Sequence, residues 1–136
     1  VYKNLFFIEP NLIEEEGGDG LDLSGTTLSI QSNKFQNFSD KAISIGEKSK
    51  AYIIANEIIG NKIGVAIKDG SEAYTSSNVY KNNDLDYNLF IKKPFYKSPL
   101  LYSSEEILDD KIIINQGDFI KLSEEGLLNE FNKISE

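Results

Sequence analysis

Asp19, Asp22, Asp40, Lys41, Glu47, Lys68, Asp69, Lys92 and Lys93 fall in short segments around the apolar pairs Leu21/Leu23, Ile43/Ile45, Val65/Ile67 and Leu89/Ile91. Carboxylates gathered this way are hard oxygen ligands of the kind calcium takes. A lysine set among them is a candidate base. Few other chemistries are open to the chain. All 14 basic residues are lysines, and Arg, His, Cys, Met and Trp are absent. That excludes disulfides, a thiolate nucleophile, a Cys/His zinc site, haem ligation and a Ser-His-Asp triad. A net charge of -8 with no Arg also argues against nucleic acid as a partner, because the phosphate footprint and the Arg–guanine contact are missing.

What positions these residues is a repeat. The stretches beginning at Thr26, Ser49 and Ser71 align with one another. Each has a small or apolar third residue (Leu28, Ala51, Ala73), then Ile30, Ile53 or Thr75 two residues on. Asn33, Asn56 and Asn78 stand at the eighth position, followed two residues later by Phe35, Ile58 and Tyr80. A further strand closes each unit at Ile43–Ile45, Val65–Ile67 and Leu89–Ile91, and the register runs back through Leu21–Leu23 to a fainter unit near Asn4. Apolar residues alternate with period two, which predicts strands with one face buried. Units this short bury a core only by stacking on copies of themselves. The spacing predicts an all-β fold, a right-handed parallel β-helix of about four coils of 22–23 residues. The Asn column is expected to be a structural ladder, with turn Asn residues in the left-handed region and their amides bonded from coil to coil.

The outward positions of the second strand, Asp22, Ser44, Ala66 and Asn88, should form one column flanked by the charged turns. Glu47, Asp69 and Lys93 occupy equivalent places in successive coils, so Asp69 and Lys93 are expected to pair. Asp22, Ser44, Glu47, Asn88, Lys92 and Lys93 are the candidate binding residues. Asp19, Asp22 and Asp40 are the candidates for a metal, which by their oxygen chemistry would be calcium. The Gly18–Asp19–Gly20 run reads as a turn, since no helix follows it to receive a phosphate.

The segments 18–25, 40–47, 63–71 and 91–93 resemble the pectate-lyase-type β-helix superfamily, in the repeat-protein branch found in bacterial exported and surface proteins. The resemblance covers residues 4–95. It implies an extracellular or cell-surface location and a polysaccharide as the partner. Superfamily members include lyases and epimerases, in which carboxylates and a base line a cleft on one face, sometimes with calcium. If that activity is present, Lys41 or Lys68 would be the base, with Asp40 and Asp69 beside it, and Tyr52, Tyr74, Tyr80 and Tyr87 would stand in for the missing Trp as sugar platforms. Against this, the Arg and His of such enzymes have no counterpart, and the turns are short. The expected function is therefore a non-catalytic β-helix module of a longer exported protein, giving a rigid display or polysaccharide-contacting surface. The alternatives are a polysaccharide lyase or epimerase and a segment for phage or surface-fibre assembly.

No stretch of 18 apolar residues occurs, so membrane insertion is not expected, and no signal peptide is read at Val1. The N-terminal segment Leu5–Ile8 lacks a capping element, which predicts preceding coils of a parent chain or another protomer at that end. Residues 96–136 are expected to form an irregular last coil, a hairpin across 111–122 and a C-terminal amphipathic helix that together act as a cap. Ser103–Glu106 has the spacing of a capping box before a short helix. Ser123 opens the final helix, with Leu127, Leu128, Phe131 and Ile134 on one face.

Overall fold

The computed structural model describes residues 4–5 and 18–133. They form a parallel β-solenoid of about five turns with one C-terminal helix. Three strands make each of the first three full coils. These are β2 (Leu21–Ser24), β3 (Thr27–Gln31) and β4 (Lys34–Gln36); then β5 (Lys41–Gly46), β6 (Lys50–Ile54) and β7 (Glu57–Ile59); then β8 (Ile63–Lys68), β9 (Glu72–Ser76) and β10 (Val79–Lys81). The fourth coil holds β11 (Leu85–Phe90) and β12 (Leu100–Ser103), and β1 (Asn4–Leu5) pairs with β3 below. Like strands stack in parallel into a six-stranded sheet (β3, β6, β9, β12 and their neighbours), a five-stranded sheet (β2, β5, β8, β11 and a neighbour) and a three-stranded sheet of β4, β7 and β10. At roughly 4.8 Å per coil, the stack is about 24 Å tall.

The register accounts for the core. Ile43, Val65 and Tyr87 stand directly above one another, as do Leu23, Ile45, Ile67 and Leu89. From the six-stranded sheet come Leu28, Ala51, Ala73 and Leu101 in one column, and Ile30, Ile53, Thr75 and Ser103 in the next. Phe35, Ile58 and Tyr80 fill the third side. Alanines face the two larger columns across a narrow interior, so large and small side chains interdigitate.

The corners of the first three coils share one device. A residue in the left-handed region turns the chain, and the backbone N–H of the next residue is offered to the coil above, except at Ser71, whose N–H bonds Lys68 O at 3.1 Å. The pairs are Gly25/Thr26, Lys48/Ser49 and Gly70/Ser71; Ser32/Asn33, Ala55/Asn56 and Ser77/Asn78; and Asn37/Phe38, Gly60/Asn61 and Asn82/Asn83. The side chain of the next coil accepts that N–H. Asn56 Oδ1 takes Asn33 N at 2.8 Å and Asn78 Oδ1 takes Asn56 N at 2.9 Å. Asn61 Oδ1 takes Phe38 N and Asn83 Oδ1 takes Asn61 N, at 2.9 and 2.8 Å. Ser49 and Ser71 do the same for Thr26 and Ser49, at 3.1 Å each. The Asn column is thus a ladder, but the left-handed residue is the one before each Asn. Gly60 shows the restriction most directly: at φ 72°, an added Cβ would sit 2.5 Å from Asn37 Oδ1.

The region after residue 96 departs from expectation in two places. The segment 111–122 is not a hairpin. β13 (Ile112–Ile114) pairs in parallel with β11, and β14 (Asp118–Lys121) in parallel with β12, so they belong to different sheets and form a fifth coil. Ile112 and Ile114 continue the Tyr87 and Leu89 columns, a long-range fit that outweighs the local turn signal at Asn115–Asp118. Nor does Ser103 cap a helix. Its hydroxyl is buried, donating to Thr75 O and accepting Glu105 N, and the chain continues into a single 3-10 turn at Asp109–Lys111.

The final helix forms as expected: α1 (Glu124–Phe131) is capped by Ser123 Oγ, which accepts Gly126 N at 3.0 Å. It lies along the outer face of the six-stranded sheet. Leu127 and Phe131 are buried there against Tyr52, Tyr74 and Tyr102, while Leu128 stays exposed. The expectations placed on residues 6–16 and on Ile134 lie outside the described residues.

Asn56→Ala removes the acceptor of the buried Asn33 N–H and the amide that donates to Ile30 O at 2.9 Å. A loss of about 2–4 kcal/mol in urea unfolding is expected. Asn56→Asp should recover little of it, because a carboxylate cannot donate to Ile30 O.

Candidate functional site

The outward column forms in register, Asp22 beside Ser44, Ala66, Asn88 and Ile113, but it is not an open cleft. Asp22 is exposed. Ser44, expected to face a ligand, is fully buried together with Ala66, and its hydroxyl has no hydrogen-bond partner among the described residues. Such short side chains do not reach past their larger neighbours. Asn88 donates to Ile113 O and Asn115 Oδ1, both at 3.0 Å, and so ties the fourth coil to the fifth.

The charged candidates divide between the two ends of the five-stranded sheet. At one end Lys41 Nζ lies 2.9 Å from Asp40 and 3.9 Å from Asp19, whose carboxylate also accepts Lys41 N at 3.3 Å. Burial raises the Asp19 pKa, partly opposed by the Lys41 ammonium and by that N–H. At the other end stand Ser24, Glu47, Lys68, Asp69, Lys92 and Lys93. Because Lys41 opens β5 and Lys68 lies beside Gly46 at its close, the two candidate bases are roughly 17 Å apart along the strand. Lys41/Asp40 and Lys68/Asp69 therefore do not share one site.

The second group surrounds a groove of about 210 Å³ that brings together Asp22, Glu47, Lys92 and Lys93 from the binding candidates, with Lys68 and Asp69. Most of its polar groups are occupied. Asp69 is buried and its carboxylate accepts Lys92 N at 2.7 Å and Lys93 N at 3.0 Å, fixing the start of the loop after β11. The expected Asp69–Lys93 ion pair is replaced by one two coils long: the Lys93 ammonium binds Glu47, which also accepts from Ser24. The hydrogen bonds from Lys93 and Ser24 lower the Glu47 pKa, and the same contact raises that of Lys93. The groove is smaller than the roughly 300 Å³ at which small-molecule sites begin. Among the described residues, no three carboxylates come together as a metal site.

A second polar centre lies around Glu105, outside the repeat of identities. Glu105 takes the place that a fourth Asn would hold: its Oε2 accepts Asn78 N at 3.1 Å and Asn78 Nδ2 at 2.7 Å. Its Oε1 accepts from the Tyr87 hydroxyl and from Thr75 Oγ1, and Tyr87 is bonded to Tyr80. The signals were Thr75 and Ser103 interrupting an Ile column, and the cluster borders a cavity of about 350 Å³. Burial first, then the Glu105 charge, pushes the Tyr87 phenol well up; burial and Tyr87 do the same for Tyr80.

The four tyrosines are packed within the fold. Tyr87 is enclosed in the core, Tyr80 packs against it, and Tyr74 stacks on Tyr102 at 4.8 Å beneath Phe131 of α1. Tyr52 is covered by the same Phe131 ring at 5.0 Å.

Two pH effects are expected. Tyr80 and Tyr87 ionise more readily unfolded than folded, so stability holds below pH 10 and falls as pH rises above it. A native phenolate titration should count fewer than the chain's seven tyrosines, the remainder appearing only on unfolding. Glu47 acts in the opposite direction: its lowered pKa gives a contribution present above about pH 4.5 and lost on further acidification. Glu47→Gln should flatten that part of the acid melting profile.

No protein-family model, no curated protein and no solved structure matches the chain. What stands from geometry is the fold: a parallel β-solenoid of about five turns.

Proposed function

We propose that the chain is a non-catalytic β-solenoid module of an exported or cell-surface protein, a rigid stack giving a display or polysaccharide-contacting surface. The observation that carries this is how the candidate acid–base groups are used. Asp69 is buried and holds the backbone of a turn, Glu47 is held by Lys93 and Ser24, and Lys41 is held between Asp40 and Asp19. A lyase or epimerase base must instead be free to reach a sugar proton within hydrogen-bond distance, with its acid or metal partner in the same cleft. Lys68, the candidate without an ion pair among the described residues, is about 17 Å from Lys41. The exported location rests on the resemblance and agrees with a cysteine-free chain, which is indifferent to redox conditions.

The test is turnover. Incubation with pectate, alginate and other uronic-acid polymers, with and without calcium, is expected to release no unsaturated or new reducing ends above a no-protein control. Cleavage that disappears in Lys68→Ala or Lys41→Ala would overturn the reading in favour of a polysaccharide-active enzyme.

A further inference from the structure

One corner of the solenoid breaks the pattern of the others. The five-stranded sheet passes to the six-stranded sheet through two residues after β2 and through three after β5 and after β8, but through nine, residues 91–99, after β11. That loop reads Ile-Lys-Lys-Pro-Phe-Tyr-Lys-Ser-Pro. Phe95 at its tip is 79% exposed, the largest exposure among the large apolar residues described, and its ring lies 4.8 Å from that of Tyr96. The loop is anchored rather than loose: Asp69 accepts Lys92 N and Lys93 N, Tyr96 N donates to Lys93 O at 3.1 Å, and Pro99 is buried.

Lysines gather around this loop. On one side is the groove with Lys68, Lys92 and Lys93; on the other is a cavity of about 540 Å³ lined by Lys48, Lys50 and Lys97. Lys48 packs beside Gly70 next to Tyr96 and Lys97, which joins the two sides. Six of the chain's 14 lysines thus meet four carboxylates, Asp22, Glu47, Asp69 and Glu72, in a protein of net charge -8. Of the four, Asp69 is buried, Glu47 is paired with Lys93, and Glu72 accepts the Tyr74 hydroxyl. Lys48, Lys68, Lys92 and Lys97 have no ion pair among the described residues.

We propose that this corner is a docking surface for an anionic lipid membrane. Phe95 enters the boundary between headgroups and acyl chains, and the lysines beside it meet the lipid phosphates. An exposed aromatic next to flexible ammonium groups suits that boundary: the ring loses water to hydrocarbon while the lysine stems let the charges reach the headgroups. A soluble polyanion would use the lysines but would not need an apolar tip, and this favours the membrane over an acidic polymer. The proposal goes beyond the display-module reading and does not depend on the chain being non-catalytic.

Co-sedimentation with vesicles tests it. Binding is expected to vesicles of phosphatidylglycerol and phosphatidylcholine in equal parts and not to pure phosphatidylcholine, and to weaken steeply with added salt. Phe95→Ser should weaken it about tenfold, and the double variant Lys92→Glu/Lys97→Glu by at least about tenfold. Lys62→Glu/Lys81→Glu makes the same change in net charge at another corner and should leave binding within about twofold of the parent. All three variants alter exposed side chains, and unchanged melting confirms their folding. Failure to bind the anionic vesicles overturns the proposal. So does binding indifferent to Phe95→Ser, or binding abolished by soluble polygalacturonate at equal charge, which would make the corner a polymer site.

Discussion

The structure depends on one backbone requirement. At each corner the chain must turn without leaving an N–H buried and unbonded, since such a group costs about 1–3 kcal/mol. A left-handed residue makes the turn and leaves the following N–H aimed along the axis, where the side-chain oxygen of the next coil accepts it. Because each acceptor also exposes its own N–H to the coil after, the requirement is passed upward. Three such ladders, two of Asn and one of Ser, hold the three sheets in register and fix the coil length at 22–23 residues.

A ladder of this kind has to end. Asn78 would present an unbonded N–H and amide to the fourth coil, and Glu105 answers both with one carboxylate oxygen. Its other oxygen lies among the hydroxyls of Tyr87, Thr75 and Ser103. A half-buried carboxylate is stabilised when donors surround it, and this one has several. The fourth and fifth coils then lack a third sheet strand, and the chain instead runs through the 3-10 turn into β13, β14 and α1. That helix covers the stacked tyrosines on the flank of the six-stranded sheet, which removes their aromatic faces from water.

The same economy bears on function. Side chains that look reactive in isolation are claimed by turns and by contacts between coils: Asp69 by two backbone N–H groups, Glu47 by Lys93 two coils away, Asn88 by the coil above. An exposed ion pair such as Glu47–Lys93 is screened by water and adds little stability, so its effect is on loop geometry. Asp69 and Glu47 hold the start of the nine-residue loop with Phe95 at its tip, where apolar and cationic surface face outward together.

Much of this was legible in the chain. Period-two alternation together with identities recurring at 22–23 residues determined the parallel coils, the inward columns and the Asn33–Asn56–Asn78 ladder, because these are fixed by short segments and their repetition. The Asn61–Asn83 ladder has the same spacing but no third Asn to mark it, because Phe38 occupies its first position. Only the tertiary structure decided that residues 112–121 form a fifth coil, since the partners of Ile112 and Phe119, which are Tyr87 and Leu101, belong to the preceding coil and outweigh a local turn signal. It alone decided which charges meet. Lys93 reaches Glu47 because a long corner loop folds back across an intervening coil, and Lys41 and Lys68 are kept apart because they sit at opposite ends of neighbouring strands. Repetition is a local property that a sequence displays; the meeting of side chains across coils is set by loop length and packing, which it does not.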